Sequence, residues 1–342
     1  MAKRPGMAEL AAAAGVSVAT VDRALNGREA VHVETRTRLA QVARQIGHPL
    51  AARLAGETVD GPVLRIGVIL HKAGQEFYQN FARALTQAVA NYPGARSQLV
   101  LEFAASQSPD EVAAALRRMK GRCDVMAATA VNHPEITAAV AELRDANVQV
   151  FALLSDFAQG LRAGYFGINN LKAGRIAGWI TTLSVKNPGN LAIFVGGHRW
   201  HGHDLREIGF RSYMREYAPG LTVLDTLVNL ETRSLTYEAT RTLLARQPDL
   251  RGIYVAGGGM EGAIAALREL RSPGEVALVV NELTSESRAG LTEGLVTLVT
   301  ATPLEMLTKD LVAAMARAAL GGWGADGTQH FLPPVLHVPE ML

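Results

Sequence analysis

The sequence predicts an all-α helix-turn-helix domain over residues 1–47, a linker over 48–62, and an α/β domain over 63–342 built from two doubly wound parallel-sheet halves. Three observations carry this reading. Near the N-terminus, apolar residues recur at i, i+3, i+4 and i+7 on either side of a glycine. Beyond Leu64, short β-branched runs alternate with longer helical segments, the signature of βαβ units and a parallel sheet. That alternation begins again at LAIFVGG (191–197), so two such units follow in tandem.

In the first domain Met7, Leu10, Ala11 and Ala14 form one apolar helical face, and Gly15 supplies a residue tolerant of positive φ where the helix must end. Val16 plugs the turn, and Ser17 is placed to cap a second helix by accepting from an orphan N–H. Val21, Ala24 and Leu25 give that helix its buried side, which leaves Val18, Ala19, Asp22 and Arg23 outward. Two short helices around such a turn are either a plain helical hairpin or a helix-turn-helix whose second helix enters a DNA major groove. Leu39, Val42, Ala43 and Ile46 repeat the spacing and predict a third helix ending near Gly47, with His48-Pro49 as its stop.

Charge is distributed unevenly. The chain of 342 residues carries +2 in all, yet residues 1–56 hold eight Lys and Arg against four Asp and Glu, leaving −2 for the remainder. Positive charge therefore gathers where phosphates would be met. The single cysteine, Cys123, allows no internal disulfide and reads as a buried thiol. No apolar stretch follows MAKRPG, so no signal peptide is expected, and no run approaches the roughly 18 apolar residues of a membrane span. The expected location is the cytoplasm.

From Leu64 the expected strands are LRIGVIL, SQLVLEF, DVMAATA, VQVFALL and YFGI, followed by LAIFVGG, LTVLDTLV, GIYVAGG, VALVV and LVTLVT. Segments such as EVAAALRRMK and EITAAVAELRDA have helical period between them. Tandem halves of this kind enclose a cleft, and ligands sit there at the carboxyl ends of strands.

AGVSVATVDRALNG followed by VHVETRTRLA resembles the start of the lactose-repressor (LacI/GalR) family of transcription regulators. The likeness rests on Gly15, Val16, Ser17, Thr20, Val21, Arg23, Leu25, Asn26, Val31, Thr35 and Arg36, with Asp22 standing where the family has Ser. It continues through GINNLKAGRIAG and GHDLREIGFR, and it implies a periplasmic-binding-protein type I fold serving as an effector sensor. On that resemblance, residues 63–168 with 297–320 form the first half, and 169–296 with 321–342 the second. It also implies a near-palindromic operator as partner, a homodimer, and DNA contacts from Ser17, Val18, Ala19, Thr20, Asp22, Arg23, Asn26 and Thr35. Leu54 matches the family's hinge leucine, which wedges into the minor groove, although only four residues separate it from Pro49; a plain linker remains the other reading. Gly257-Gly258, Asn169 and VVNELTSES depart from the family's usual effector-contact residues.

Several residues at strand ends are candidates for effector contacts. Arg206 follows the loop GGHRWHGHD and offers a rigid fork of donors; the matching family residue touches the effector. Asp156 follows VFALLSD and either accepts from ligand hydroxyls or caps a helix. As the two follow strands of different halves, they are expected to face each other across the cleft. Phe77 and Tyr78 either stack on a pyranose or cyclitol face or belong to the core. His198, His201, His203 and Asp204 have the donor atoms for Zn²⁺, but they lie in a glycine-rich loop without cysteine; His203 fits better as a hydrogen-bonding group over the cleft. Gly257-Gly258-Gly259 lacks the P-loop ending, so Gly258 reads as a close backbone approach to a neutral ligand. Asn132 and Glu282 complete the expected effector set. No nucleophile elbow, HExxH or metal-binding carboxylate set occurs, so no enzyme, cofactor or metal is expected. The resulting expectation is a DNA-binding regulator, most simply a repressor, answering to a small sugar or polyol. The alternative is a solute-binding protein without a DNA role, which the basic N-terminal helices oppose.

Overall fold

A computed structural model of the chain describes residues 6–26, 31–48, 51–54, 63–321 and 328–341. The chain divides into two compact units, residues 1–65 with 89–98 and residues 66–88 with 99–342.

The N-terminal helices are α1 (Met7–Ala14), α2 (Val18–Asn26), α3 (Val33–Gln45) and a short α4 (Ala51–Leu54). Gly15 takes φ 63°, and the Val16 N–H donates back to the Ala11 carbonyl at 3.0 Å, which closes α1 as its sequence predicts. Ser17 Oγ accepts from the Thr20 N–H at 3.1 Å and caps α2. Leu10, Ala11, Ala14, Val21, Ala24, Leu39, Ala40 and Ala43 close a small core. Met7 is exposed rather than part of it. Leu54 joins this core at 1% exposure. This departs from the expected wedge: the leucine is turned inward among apolar neighbours, not presented to a groove. Of the expected linker, Pro49, Leu50 and residues 55–62 lie outside the described residues.

The remainder is two parallel sheets. The first has the order β12-β5-β4-β3-β1-β2, with β1 (Leu64–Leu70), β2 (Ser97–Phe103), β3 (Val125–Ala128), β4 (Gln149–Leu153), β5 (Gly164–Ile168) and β12 (Thr328–Leu332). The second runs β13-β11-β10-β9-β6-β7, with the two-residue β8 (Leu227–Val228) also on β6. Its strands are β6 (Gly189–Val195), β7 (Leu221–Val223), β9 (Leu250–Val255), β10 (Ala277–Asn281), β11 (Leu298–Ala301) and β13 (Val335–His337). Strand β13 is antiparallel to its neighbour β11. In β6, Leu191, Ile193 and Val195 enter one apolar cluster and Ala192 and Phe194 another. The period of two, with both sets buried, is that of a sheet covered on both faces.

Helices α5 (Glu76–Ala90), α6 (Pro109–Arg118) and α7 (Pro134–Asp145) follow strands of the first lobe, and α13 (Leu304–Ala319) packs against β3, β4 and β5. Helices α8 (Asn170–Ser184), α9 (His201–Tyr217), α10 (Arg233–Arg246), α11 (Met260–Leu270) and α12 (Ser285–Thr292) belong to the second. The chain thus crosses between lobes after β5, after β11 and after β12. The division expected from sequence needs correction here. Strand β11 stays in the second sheet, the return begins at α13, and β12 belongs to the first sheet. Cys123 is buried, its Sγ 3.4 Å from the Met119 carbonyl.

Candidate functional site

On the N-terminal unit, the outward face of α2 and its cap carries Ser17, Val18, Ala19 and Arg23 as exposed residues, with Thr20 and Asp22 partly exposed beside them. The Arg23 Nε donates to the Ala19 carbonyl at 3.2 Å, one turn back along the helix. Thr35, partly exposed, stands in the first turn of α3. Asn26 is the last residue of α2, and its side chain lies outside the described residues.

In the second unit, a cavity of about 90 Å³ lies between the lobes. Its walls come from residues just past strand carboxyl ends: Thr129 after β3, Leu154 and Ser155 after β4, Glu231 after β8, Gly257 and Gly258 after β9, Glu282 and Thr284 after β10. Helix starts complete it, with Gln75 to Tyr78 at α5 and Trp200, Gly202, His203 and Arg206 at α9. This is where an open α/β sheet presents unpaired backbone groups and helix N-termini to a ligand.

Arg206 is 7% exposed, and its donors are partly committed. Nε donates to Asn170 Oδ1 and Nη1 to the Ala256 carbonyl, each at 2.7 Å. Arg206 lines the cavity with two of its three guanidinium nitrogens so engaged. Asn170, in the first turn of α8, is itself held by donation to the Leu154 carbonyl at 3.1 Å. Phe77 and Tyr78 both line the cavity, ring edge against ring face with centroids 5.1 Å apart. Burial, and then the Glu231 and Glu282 carboxylates, push the Tyr78 hydroxyl well above its ordinary pKa. Trp200 adds a third aromatic wall, 5.8 Å from the His203 ring.

His203 is buried, and burial lowers its pKa to about 4, against the opposing pull of Glu231. Its Nδ1 accepts from the Gly196 N–H at 3.1 Å, which assigns the ring proton to Nε2. That nitrogen faces Glu231 Oε1 at 3.6 Å. Burial alone would raise the Glu231 pKa, but His203, the Lys72 cation and the Gln107 amide outweigh it and hold the carboxyl at about 2. Lys72 Nζ and Gln107 Nε2 each approach Glu231 Oε2 to 2.9 Å, and the Gly258 N–H donates to Oε1 at 3.1 Å. On another edge of the cavity, Glu76 accepts from the Ser285 N–H and from Ser285 Oγ at 2.6 Å. Glu282 sits at φ 71°, with its oxygens held by the Thr302 N–H at 2.9 Å and Thr302 Oγ1 at 2.7 Å. Burial raises its pKa against those bonds.

Of the expected effector residues, Phe77, Tyr78, His203, Arg206, Gly258 and Glu282 line this one cavity. Two residues do not. Asp156 does not line the cavity; it is 4% exposed and paired with Arg162, whose Nη2 donates at 2.7 Å, with further bonds from Gln159 and Gln329. Its neighbours Leu154 and Ser155 reach the cleft in its stead, because Leu154 takes φ 63° and turns the chain there. Asp156 and Arg206 consequently do not face each other. Asn132 is exposed, borders a separate shallow groove with His133 and Thr137, and gives its N–H to the Arg199 carbonyl at 3.0 Å. The sequence reading missed Glu231, Lys72, Gln107, Trp200 and Asn170. Glu231 follows LTVLDTLV as Arg206 follows its own strand, so the same strand-end rule reaches it. Among the described residues, no group of three or more His, Cys, Asp or Glu is arranged to hold a metal ion. No described helix is long and apolar enough to cross a membrane.

Residues 66–322 match the model of the periplasmic binding protein domain, and residues 6–49 that of the bacterial regulatory proteins, lacI family. An HTH-type transcriptional regulator encoded in the aml 5′ region of Streptomyces limosus is 26% identical over 215 residues. That match spans 62% of this chain and 58% of the relative's length. Among solved structures, a solute-binding protein of Agrobacterium vitis with bound α-D-tagatopyranose is similar at TM-score 0.74 and 19% identity, covering 81% of this chain and 95% of that one. GanP, a glucose-galactose binding protein of Geobacillus stearothermophilus, gives 0.74 and 17%, covering 82% and 99%. A Bacillus halodurans solute-binding protein with bound myo-inositol gives 0.71 and 20%, covering 83% and 97%. At these identities the likeness establishes the fold.

Proposed function

Because the chain belongs to the periplasmic binding protein domain family and carries at its N-terminus a domain of the bacterial regulatory proteins of the lacI family, we propose that it is a cytoplasmic transcription regulator, most simply a repressor. The observation that carries this reading is the pairing in one chain of a helix-turn-helix unit with an interlobe cleft walled by strand carboxyl ends and helix starts. Ser17, Val18, Ala19, Thr20, Asp22, Arg23, Asn26 and Thr35 meet operator DNA, with α2 in the major groove. Two copies related by a twofold axis read a near-palindromic operator.

The effector is a small polyhydroxylated molecule, a sugar or a polyol. Three aromatic rings offer faces for a sugar ring, the Arg206 guanidinium offers a donor, and carboxylates supply acceptors. The sugar and the cyclitol bound by proteins of the same fold are of this class. Effector binding favours one lobe arrangement, and it moves operator affinity only by its differential affinity for the two arrangements. The test is operator selection from genomic fragments, followed by fluorescence anisotropy on the selected site with a panel of sugars and polyols. The reading expects specific, salt-sensitive binding that at least one panel member changes. Binding no tighter than to random DNA contradicts it.

A further inference from the structure

Four donors from both lobes converge on one carboxylate. Lys72 Nζ and Gln107 Nε2 come from the first lobe, each 2.9 Å from Glu231 Oε2. The Gly258 N–H, 3.1 Å from Oε1, and His203 Nε2, 3.6 Å from it, come from the second. Gly258 lies two residues ahead of α11, so its N–H adds to the positive end of that helix. A lysine, a neutral amide and a glycine-turn N–H before a helix are the groups that ordinarily hold a phosphate or a carboxylate brought by a ligand. Here the chain's own carboxylate fills the place.

The filling is built into the backbone. Leu230 and Glu231 both take positive φ, 48° and 54°, a conformation side chains adopt only when surroundings enforce it. Asn229 enforces it: its Oδ1 accepts from the Glu231 N–H at 2.8 Å, and its Nδ2 donates to the Gly258 carbonyl at 2.9 Å. A Cβ on Gly257 would stand 2.6 Å from His203 Cε1 and 3.2 Å from Glu231 Oε1, so glycine is what lets the turn approach the carboxylate. What remains toward the cavity is rich in acceptors. Glu282, Glu261 and Glu76 line it beside Arg206, whose Nε and Nη1 are already bonded within the protein. A second negative charge would meet these carboxylates with its usual donor site already taken.

We propose that Glu231 is a resident anion occupying the donor nest at the start of α11, so that the cleft selects polyhydroxylated effectors without negative charge and rejects phosphate esters and sugar acids. The selectivity rests on the reading of this cleft as the effector site; the filled nest does not.

The test is thermal denaturation of the full-length chain, wild type and Glu231→Ala, with formate, inorganic phosphate or chloride. Wild type should be indifferent to all three. Glu231→Ala should melt lower and recover by several degrees, in a concentration-dependent way, with formate or phosphate but not chloride, since a ligand of the native state alone stabilises it by mass action. Glu231→Gln, which keeps the volume filled, should show no such recovery. If Glu231→Ala does not fold, refolding with and without formate asks the same question, and formate should restore the yield. Wild type stabilised by phosphate as strongly as the variant, or a variant indifferent to formate and phosphate, would overturn the assignment. In a second arm, wild type is titrated with D-galactose, D-galactose 6-phosphate and D-galacturonate, and with myo-inositol and its monophosphate. A charged member binding as tightly as its neutral parent overturns the selectivity. Anion recovery by the variant with no neutral member bound supports the filled nest and counts against the sugar reading alone.

Discussion

Arg206, in the second turn of α9, and Asn170, at the start of α8, are bonded at 2.7 Å from two helices that touch backbone to backbone. A Cβ on Gly174 of α8 would collide with the Arg206 carbonyl, and one on Gly209 of α9 with that of Leu171. Helix contact this close fixes where the guanidinium starts, and Asn170 fixes where it points. The guanidinium that lines the cavity is thus held by groups that are themselves bonded.

Arg206→Lys keeps the charge but not the fork, and it gives up the bonds to Asn170 and Ala256. A hydrogen bond to a charged group contributes about 1.5–3 kcal/mol, so effector affinity should fall by roughly 10–150-fold. Operator binding without effector should stay near wild type. Calorimetric titration of the effector together with anisotropy on the operator separates the two effects. Unchanged effector affinity would place the ligand elsewhere.

Leu54 offers a choice between two roles. As a core residue, its truncation in Leu54→Ala should destabilise the N-terminal unit by about 2–5 kcal/mol. Amide exchange of α1 to α3 reads this directly, and protection should drop there without change in the α/β domain. Unaltered protection combined with lost operator bending would restore the wedge.

Acid should weaken the α/β domain in two stages. The folded His203 pKa is lowered from 6.5 to about 4, so the stability it confers is complete above pH 6.5 and is lost as pH falls toward 4. The Glu231 pKa, lowered from 4.5 to about 2, adds a further loss between those values. Glu282, whose pKa is raised, acts in the opposite sense and is common to wild type and variant. Melting temperature against pH for wild type and His203→Gln isolates the first stage. The wild-type curve should fall more steeply between pH 6.5 and 4, and parallel curves would contradict the account.

Arg23 should take part in operator contact. If it reads a guanine edge, Arg23→Ala should cost about 1–3 kcal/mol and relax the preference at one operator position. If it meets a phosphate, the slope of log K against log salt should shrink by about 0.9 instead. Operator affinity measured over a salt series distinguishes them, and a variant equal to wild type in affinity, specificity and slope would remove α2 from the interface.

Much of this was legible in residue order because buried strands of a doubly wound sheet are near-continuous apolar runs, and LRIGVIL became a buried strand end to end. Six effector candidates met because strand carboxyl ends gather at one cleft. That rule gives the end of a strand and not the direction of the next side chain, and so it admitted Asp156, which the positive φ of Leu154 diverts to Arg162. Glu231 lies within reach of that rule, but the single run LTVLDTLV splits into β7 and the two-residue β8, and the turn that follows points the carboxylate at the cleft only through the positive φ of Leu230 and Glu231. Leu54 was read from its place in a motif, whereas its burial depends on a core that only the packed helices define.

The central claim is that a ligand in the cleft and DNA on the N-terminal unit share one free energy. The most direct measurement takes a neutral sugar or polyol that stabilises the protein and determines its Kd twice, for the free chain and for the chain saturated with operator. The account predicts that the two values differ by about 5–150-fold, and that the ligand changes operator affinity by the same factor, as linkage requires. Equal ligand affinities in the presence and absence of operator would contradict it.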